Sequence, residues 1–203
     1  MSKTILYSIA FLTGFAVMGY EILGTRILAP VYGSEIFVWG AIISVFLAGL
    51  CIGYAAGGRI ADKRSDIHIL SRIILVPSVL IVLTPYYAPW MCNIFKAMNL
   101  DTRLGALLLS IVLFLVPCIF MGAVIPIIVK AIATNIEKVG SSAGNVYSIS
   151  TAGSIAGTLF TSFYLISWMG VLKGIQMIGI IVAACWFLCL YYHYRNKKRK
   201  GQP

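Results

Sequence analysis

The sequence predicts an all-α membrane protein with six helices that cross a bilayer. Hydrophobic residues make up 60% of the 203 positions, and charged residues only 11%. The apolar residues form six runs of about 20 residues, the length that crosses a hydrocarbon core as an α-helix. No run shows the apolar–polar alternation of a barrel strand. Because lipid offers no partner for a backbone amide, each run is predicted to be a helix.

The six predicted spans leave little of the chain for any other domain. They cover about residues 5–23, 37–56, 73–90, 104–129, 146–166 and 174–192. We therefore expect one six-helix transmembrane domain, residues 1–194, followed by a basic tail, residues 195–203. The first run has a basic residue before it, as a signal peptide does, but no small-residue cleavage site stands out before Glu21. We interpret it as a retained span.

The distribution of positive charge predicts how these spans are oriented. Most of the 16 Lys and Arg residues fall on one side, which the positive-inside rule assigns to the cytoplasm. That side carries Lys3, the basic residues of the 59–72 loop, Lys130, Lys138 and the tail. The other side carries Arg26, Lys96, Arg103 and Lys173. Both termini are therefore predicted to be cytoplasmic, at the inner or plasma membrane, and the net charge of +10 is attributed to topology and not to nucleic-acid binding.

Small residues in two of the predicted helices have the spacing that lets helices pack closely. The second span carries Gly49, Gly53 and Gly57, and the fifth carries Gly153 and Gly157. These two spans occupy the same place in each half of the chain. The correspondence indicates a 3+3 arrangement, in which two three-helix halves insert with opposite orientation.

Prolines interrupt the third and fourth predicted spans. Pro77 and Pro85 lie in one, and Pro117 and Pro126 in the other. Each proline removes a backbone donor and bends its helix. The bends are either static kinks filled by a neighbouring side chain or part of a gate, and both interpretations stay open.

Glu21 is the one acidic residue inside the predicted spans, since the other five fall in predicted loops. A buried carboxylate is costly unless it is paired, hydrated or protonated. Arg26 lies about 140° away around a regular helix, so the two side chains are not expected to pair. Glu21 shares its helix face with Gly14 and Thr25, which predicts that it faces other helices. Glu21, Tyr20 and Arg26 are candidates for a proton or substrate site; a structural lock near the outer interface is the alternative.

Hydroxyl groups form a stripe along the fifth predicted helix. The stripe has the spacing of one helix face and consists of Tyr147, Thr151, Ser154, Thr158 and Thr161. These side chains could line a hydrated cavity for a polar solute. They could equally bond to backbone carbonyls and hold helices together.

No motif in the sequence predicts catalysis, a metal or a cofactor. The zinc-protease motif HExxH and a glycine-rich phosphate loop are absent. Residues 140–144, GSSAG, match the letters of the serine-hydrolase pattern GxSxG, but they follow no predicted strand, which that motif requires. The two histidines, His68 and His193, fall at span edges, away from any membrane-embedded serine. The five cysteines are scattered, which argues against a disulfide framework or a zinc site. We therefore expect a protein that is not an enzyme.

Four blocks of this sequence resemble the membrane domain of spermidine synthase-like membrane proteins, in which a major-facilitator-like region is fused to a spermidine synthase. The blocks, within residues 11–170, are FLTGFAVMGYEILGTRILAPVYGSEIFVWG, FLAGLCIGYAAGGRIADKR, VPCIFMGAVIPIIVKA and AGNVYSISTAGSIAGTLFTSFYLI. The resemblance implies a half-major-facilitator-like fold. The segment GGRIADKR is similar to a facilitator loop signature, in which Arg59, Asp62 and Arg64 would latch helix ends. The soluble aminopropyltransferase-like domain of such proteins is not found in these 203 residues, so no transferase activity is expected of them.

Together these features predict a transporter-like half unit for a small polar or cationic metabolite, such as a polyamine, acting as an oligomer. Its partners would be the lipid bilayer and a second copy or a soluble transferase-like protein, with no nucleic acid. The alternative is a membrane anchor or scaffold that transports nothing and holds a separate soluble aminopropyltransferase-like enzyme.

Overall fold

All regular secondary structure in the described part of the chain is helical. The computed structural model describes residues 3–63, 67–133 and 139–200, and its regular elements in these ranges are all helices. In chain order they are α1 (Lys3–Tyr32), α2 (Ile36–Lys63), α3 (Ile67–Ala97), α4 (Thr102–Ser110), the π-helix π1 (Ile111–Leu115), α5 (Val116–Ile132), α6 (Val139–Phe160), the π-helix π2 (Thr161–Leu165) and α7 (Ile166–Lys200).

Among the described residues, five helical stretches are long and apolar enough to cross a membrane. They are Lys3–Tyr32, Ile36–Lys63, His68–Ala97, Thr102–Ile132 and Val139–Tyr192. The predicted class is confirmed at this level: the described residues form no strand, and several of the helices have the length and composition to span a membrane. The fifth and sixth predicted spans fall in the same 54-residue stretch. Within that stretch the backbone leaves helical geometry at Gly170, where φ is 73° and ψ is 179°, a conformation that favours glycine.

Three helix pairs form the largest contacts of the fold. α1 packs along α6, α2 along α5, and α3 along α7. α1 also contacts α2, α3, α5 and α7, so it lies at the centre of the bundle. This central position explains why residues on several faces of α1 are buried, among them Ile9, Ala16, Tyr20, Leu23 and Leu28.

Glycine pairs set the distance between two of these helix pairs. A Cβ atom on Gly57 of α2 would lie 2.6 Å from the Cα atom of Ala123, and one on Gly53 would collide with the carbonyl oxygen of Ile119. Gly49, one turn earlier, is equally tight against Cys118. The α2 backbone therefore rests directly on the α5 backbone, as small residues allow in membrane helices.

The contact between α6 and α1 has the same construction. A Cβ atom on Gly153 would collide with the carbonyl oxygen of Phe11, and one on Gly157 with that of Phe15. In both helix contacts, two glycines four residues apart on one helix pack against the backbone of two residues four apart on the other helix. Gly140 and Gly144, on the same helix, have no atom within 4 Å of the corresponding position.

Three aromatic rings fill the centre of the bundle, and all three are fully buried. The Tyr20 and Phe114 rings meet edge to face, with centroids 5.2 Å apart and planes at 82°. The Phe46 ring lies 5.8 Å from Tyr20 and 5.6 Å from Phe114. These rings join α1, α2 and π1 through contacts that the aromatic quadrupole favours.

The hydroxyl group of Tyr20 belongs to a buried polar network. It lies 2.9 Å from Thr84 Oγ1 and 3.4 Å from the carbonyl oxygen of Leu113. In a regular helix the amide of residue 117 would bond to that carbonyl, but Pro117 has no N–H group. Tyr87 extends the network, with its hydroxyl 3.2 Å from Thr84 Oγ1. Tyr20 therefore offers a donor to a carbonyl that proline leaves without its helical partner.

Candidate functional site

A narrow cavity, here called the central cleft, lies between α1, α2, α5 and α6. Its polar lining comes from Thr13, Tyr54, Ser150 and Ser154, and apolar side chains or glycine form the rest. Its volume of about 60 Å³ is enough for a few water molecules. In this conformation the central cleft could hold water or a small ion, but not a metabolite.

Glu21 does not line the central cleft itself, but helical spacing puts it one turn beyond the lining residues of α1. It is half-buried and follows Val17 and Met18, two cleft-lining residues, by one helical turn. The thiol of Cys118 on α5, itself fully buried, is close enough to interact electrostatically with the carboxylate. Among the described residues, no Lys or Arg forms an ion pair with Glu21.

Tyr20 and Arg26, which the sequence grouped with Glu21, point elsewhere. Tyr20 is fully buried in the aromatic core. Arg26 is exposed and lines a different cavity, together with Lys96 of α3. Each residue is rotated by 100° around α1 from the one before it, so Tyr20, Glu21 and Arg26 point in different directions. Neither Tyr20 nor Arg26 lines the central cleft.

One residue of the hydroxyl stripe, Ser154, lines the central cleft. The Ser154 hydroxyl donates to the carbonyl oxygen of Gly14, over 3.2 Å, and so bonds α6 to α1. The Tyr147 ring is 45% exposed and packs edge to face on Tyr54, with centroids 6.4 Å apart. This ring pair bridges α6 and α2 at the margin of the cleft.

The remaining residues of the stripe have different surroundings. Thr151 is exposed and Thr158 half-buried. Thr161 is fully buried at the start of π2, and its hydroxyl has no hydrogen-bond partner in the described part of the chain. A Cβ atom on Gly19 would lie 2.9 Å from this hydroxyl oxygen. The stripe is thus not one continuous cleft lining, because π2 ends its regular spacing.

Sequence reasoning missed several residues of the central cleft. Ser150 lines it and its carbonyl oxygen lies against Gly14, while Thr13 donates to the carbonyl oxygen of Ile9 over 2.7 Å. Ser150 could have been found, because it follows Tyr147 by three residues and fits the stripe. Cys118 gave no such signal, since its approach to α1 depends on how two distant helices pack.

Of the three residues predicted to form a cytoplasmic latch, Asp62 forms an exposed ion pair with Lys130, a residue outside that prediction. Asp62 Oδ1 lies 3.2 Å from Lys130 Nζ, which joins the last turn of α2 to the end of α5. Arg59 is exposed on α2, and Arg64 lies outside the described residues. Arg59 and Asp62 were predicted to lie in a loop; both are on α2, because the helix continues beyond its apolar run. Because the Lys130 side chain is 51% exposed and that of Asp62 76% exposed, the pair contributes at most about 1 kcal/mol to the free energy of unfolding.

The described residues form no group that could hold a metal ion, and comparisons with known proteins gave no match. Within residues 3–63, 67–133 and 139–200, no three His, Cys, Asp or Glu side chains are grouped so that they could hold a metal ion. Comparisons with protein-family models, with curated proteins and with solved structures gave no match. The resemblance carried by the four sequence blocks stays a prediction, and the function of the central cleft is inferred from its own residues.

Proposed function

We propose that this chain is a six-span, half-facilitator-like unit with cytoplasmic termini, and that two units together transport a small polar or cationic solute. One observation carries the proposal: a half-buried carboxylate, Glu21, follows residues of a hydroxyl-lined cleft by one helical turn and has no ion-pair partner among the described residues. Ionisable groups in such positions commonly serve proton relays and ion pathways.

The six-span topology is supported by the break at Gly170. A continuous helix over the 54 residues of Val139–Tyr192 would be about 80 Å long, more than twice the thickness of the hydrocarbon core. The parts on either side of the break also have different partners, since α6 packs on α1 and α7 on α3. A chain reversal near Gly170 would divide the stretch into a fifth and a sixth span.

The 3+3 arrangement is supported by the pattern of helix pairs. A 3+3 arrangement would relate the first span to the fourth, the second to the fifth and the third to the sixth. Under this relation α1 corresponds to α5, α2 to α6 and α3 to α7, so the contact of α2 with α5 corresponds to the contact of α6 with α1. The contact of α3 with α7 becomes itself. The two glycine-built contacts are thus the ones that a pseudo-two-fold axis would relate.

Pairing of two units is supported by the size and the open side of the central cleft. A cleft of about 60 Å³ cannot enclose a metabolite. Tyr54 and Tyr147 stand exposed at its margin, and large apolar side chains are exposed on the same two helices. They include Ile43, Leu47 and Ile52 on α2, and Ile155 and Leu159 on α6. A second copy placed against α2 and α6 would cover these side chains and enlarge the cleft.

Transport into proteoliposomes tests the role of Glu21. With the diamine putrescine as the cationic probe and an imposed proton gradient, the unaltered chain should accumulate the probe and Glu21→Gln should reduce uptake to background. Glu35→Gln is the matched control, because Glu35 is exposed before α2 and loses its charge in the same way. Unchanged uptake by a folded Glu21→Gln variant would reject the coupling role. Absence of uptake of cationic and neutral polar probes by the unaltered chain would favour the membrane-anchor alternative.

A further inference from the structure

A second cavity, here called the basic pocket, lies between α1, α3 and α7, away from the central cleft. Its volume is about 410 Å³, several times that of the central cleft. Most of its wall is apolar, with Ile27 and Val31 from α1 and Ala88 from α3 among the lining residues. Its polar lining residues are Arg26, Asn93 and Lys96, with Cys92 beside them. Glu21 does not line it.

The charge in the basic pocket is unbalanced. Arg26 and Lys96 both line it and no acidic residue does, and neither forms an ion pair within the part of the chain that the structure describes. Two cations on one cavity repel each other, and an anion between them removes the repulsion. Asn93 adds an amide donor. Val171 follows directly on the helix break at Gly170, so the pocket also meets the positive end of a helix dipole.

Aromatic residues place the basic pocket at the depth of lipid headgroups. Trp90 precedes Asn93 by three residues and is 60% exposed, and Trp168 precedes Val171 by three and is 74% exposed. Tryptophan on the outside of membrane proteins concentrates at the boundary between headgroups and acyl chains. Arg26 and Lys96 also belong to the basic residues predicted on the non-cytoplasmic side.

We propose that the basic pocket binds an anionic phospholipid, with its phosphate at Arg26 and Lys96 and part of an acyl chain along the apolar wall. A free phosphate ion would use the two cations but would leave that wall uncovered. A zwitterionic lipid would bring its own ammonium group towards two cations. The combination of two unpaired cations, apolar walls and headgroup depth fits an anionic amphiphile better than either.

Lipid titration of the purified full chain, followed by native mass spectrometry, tests this assignment. Phosphatidylglycerol should bind more tightly than phosphatidylcholine. The double variant Arg26→Gln with Lys96→Gln should bind phosphatidylglycerol about 30-fold more weakly, since each basic residue contributes about fivefold. Lys173→Gln is the matched control, because Lys173 is exposed on the same predicted side but does not line the basic pocket. It should leave affinity within about twofold.

A charge-preserving double variant and a competition with inorganic phosphate complete the test. Arg26→Lys with Lys96→Arg preserves both charges and should retain most of the affinity even if the charge-free double variant does not fold. Unaltered affinity in a folded double variant, equal loss in Lys173→Gln, or equal binding of phosphatidylcholine would each overturn the proposal. Displacement of phosphatidylglycerol by equimolar inorganic phosphate would show that the site takes a free anion and would overturn the lipid assignment.

Discussion

Replacing Gly153 and Gly157 together by alanine is expected to lower the free energy of unfolding by about 2–6 kcal/mol. Each new methyl group would collide with a backbone carbonyl oxygen, that of Phe11 or that of Phe15. Backbone atoms cannot move aside as the end of a flexible side chain can, so α6 would have to separate from α1. Because this is one of the three main helix contacts, the loss should extend beyond the two helices.

The matched control is the double variant Gly140→Ala with Gly144→Ala on the same helix. Neither position has an atom within 4 Å of the new methyl group. Alanine is a better helix former than glycine by about 0.5–1 kcal/mol, so this variant should be neutral or more stable. Unfolding in a denaturing detergent, followed by circular dichroism, compares the two variants. Equal destabilisation of both would mean that these glycines act through helix flexibility and not through packing.

Tyr20→Ala is expected to cost about 3–5 kcal/mol of stability, the range measured when a buried aromatic side chain is truncated. The change leaves a cavity between Phe46 and Phe114 and removes the hydroxyl beside Thr84. Tyr20→Phe keeps the ring and removes the hydroxyl alone, so it should cost only about 1 kcal/mol. The same detergent titration measures both variants.

Tyr147→Ala is the control for residue type, because this tyrosine is 45% exposed. We expect this variant to cost about 1 kcal/mol, through loss of the ring pair with Tyr54, and so much less than Tyr20→Ala. If Tyr20→Phe were as harmful as Tyr20→Ala, the polar network, and not the ring cluster, would hold the centre of the bundle. A stable Tyr20→Ala variant would contradict the central packing role altogether.

Hydropathy and residue spacing were sufficient to predict the helical membrane class. The apolar runs identified the helices because lipid allows only backbones that satisfy their own hydrogen bonds. The ends of the helices were less accurate: α2 continues to Lys63 and α3 to Ala97, beyond the apolar runs. Hydropathy marks where the chain meets lipid, whereas a helix continues for as long as its backbone bonds are formed.

Spacing also predicted that Glu21 and Arg26 leave α1 in different directions, and Arg26 lines the basic pocket whereas Glu21 does not. It did not predict that Tyr20 would be drawn into the core. That outcome depends on Thr84 and Leu113, which lie 64 and 93 residues away along the chain. Helical rotation assigns a side chain to a face, but the neighbour opposite that face comes from another helix.

The sequence by itself determined the class of structure, the glycines that permit close approach and the presence of an acidic group within an apolar helix. These are local properties, set by side-chain chemistry and by 3.6 residues per turn. Only the tertiary structure decided which helices pair and which hydroxyl groups line the central cleft. It also decided that Arg26 and Lys96 line the same cavity. The physical reason is that helix association in lipid depends on the fit between distant surfaces, which no short stretch of sequence contains.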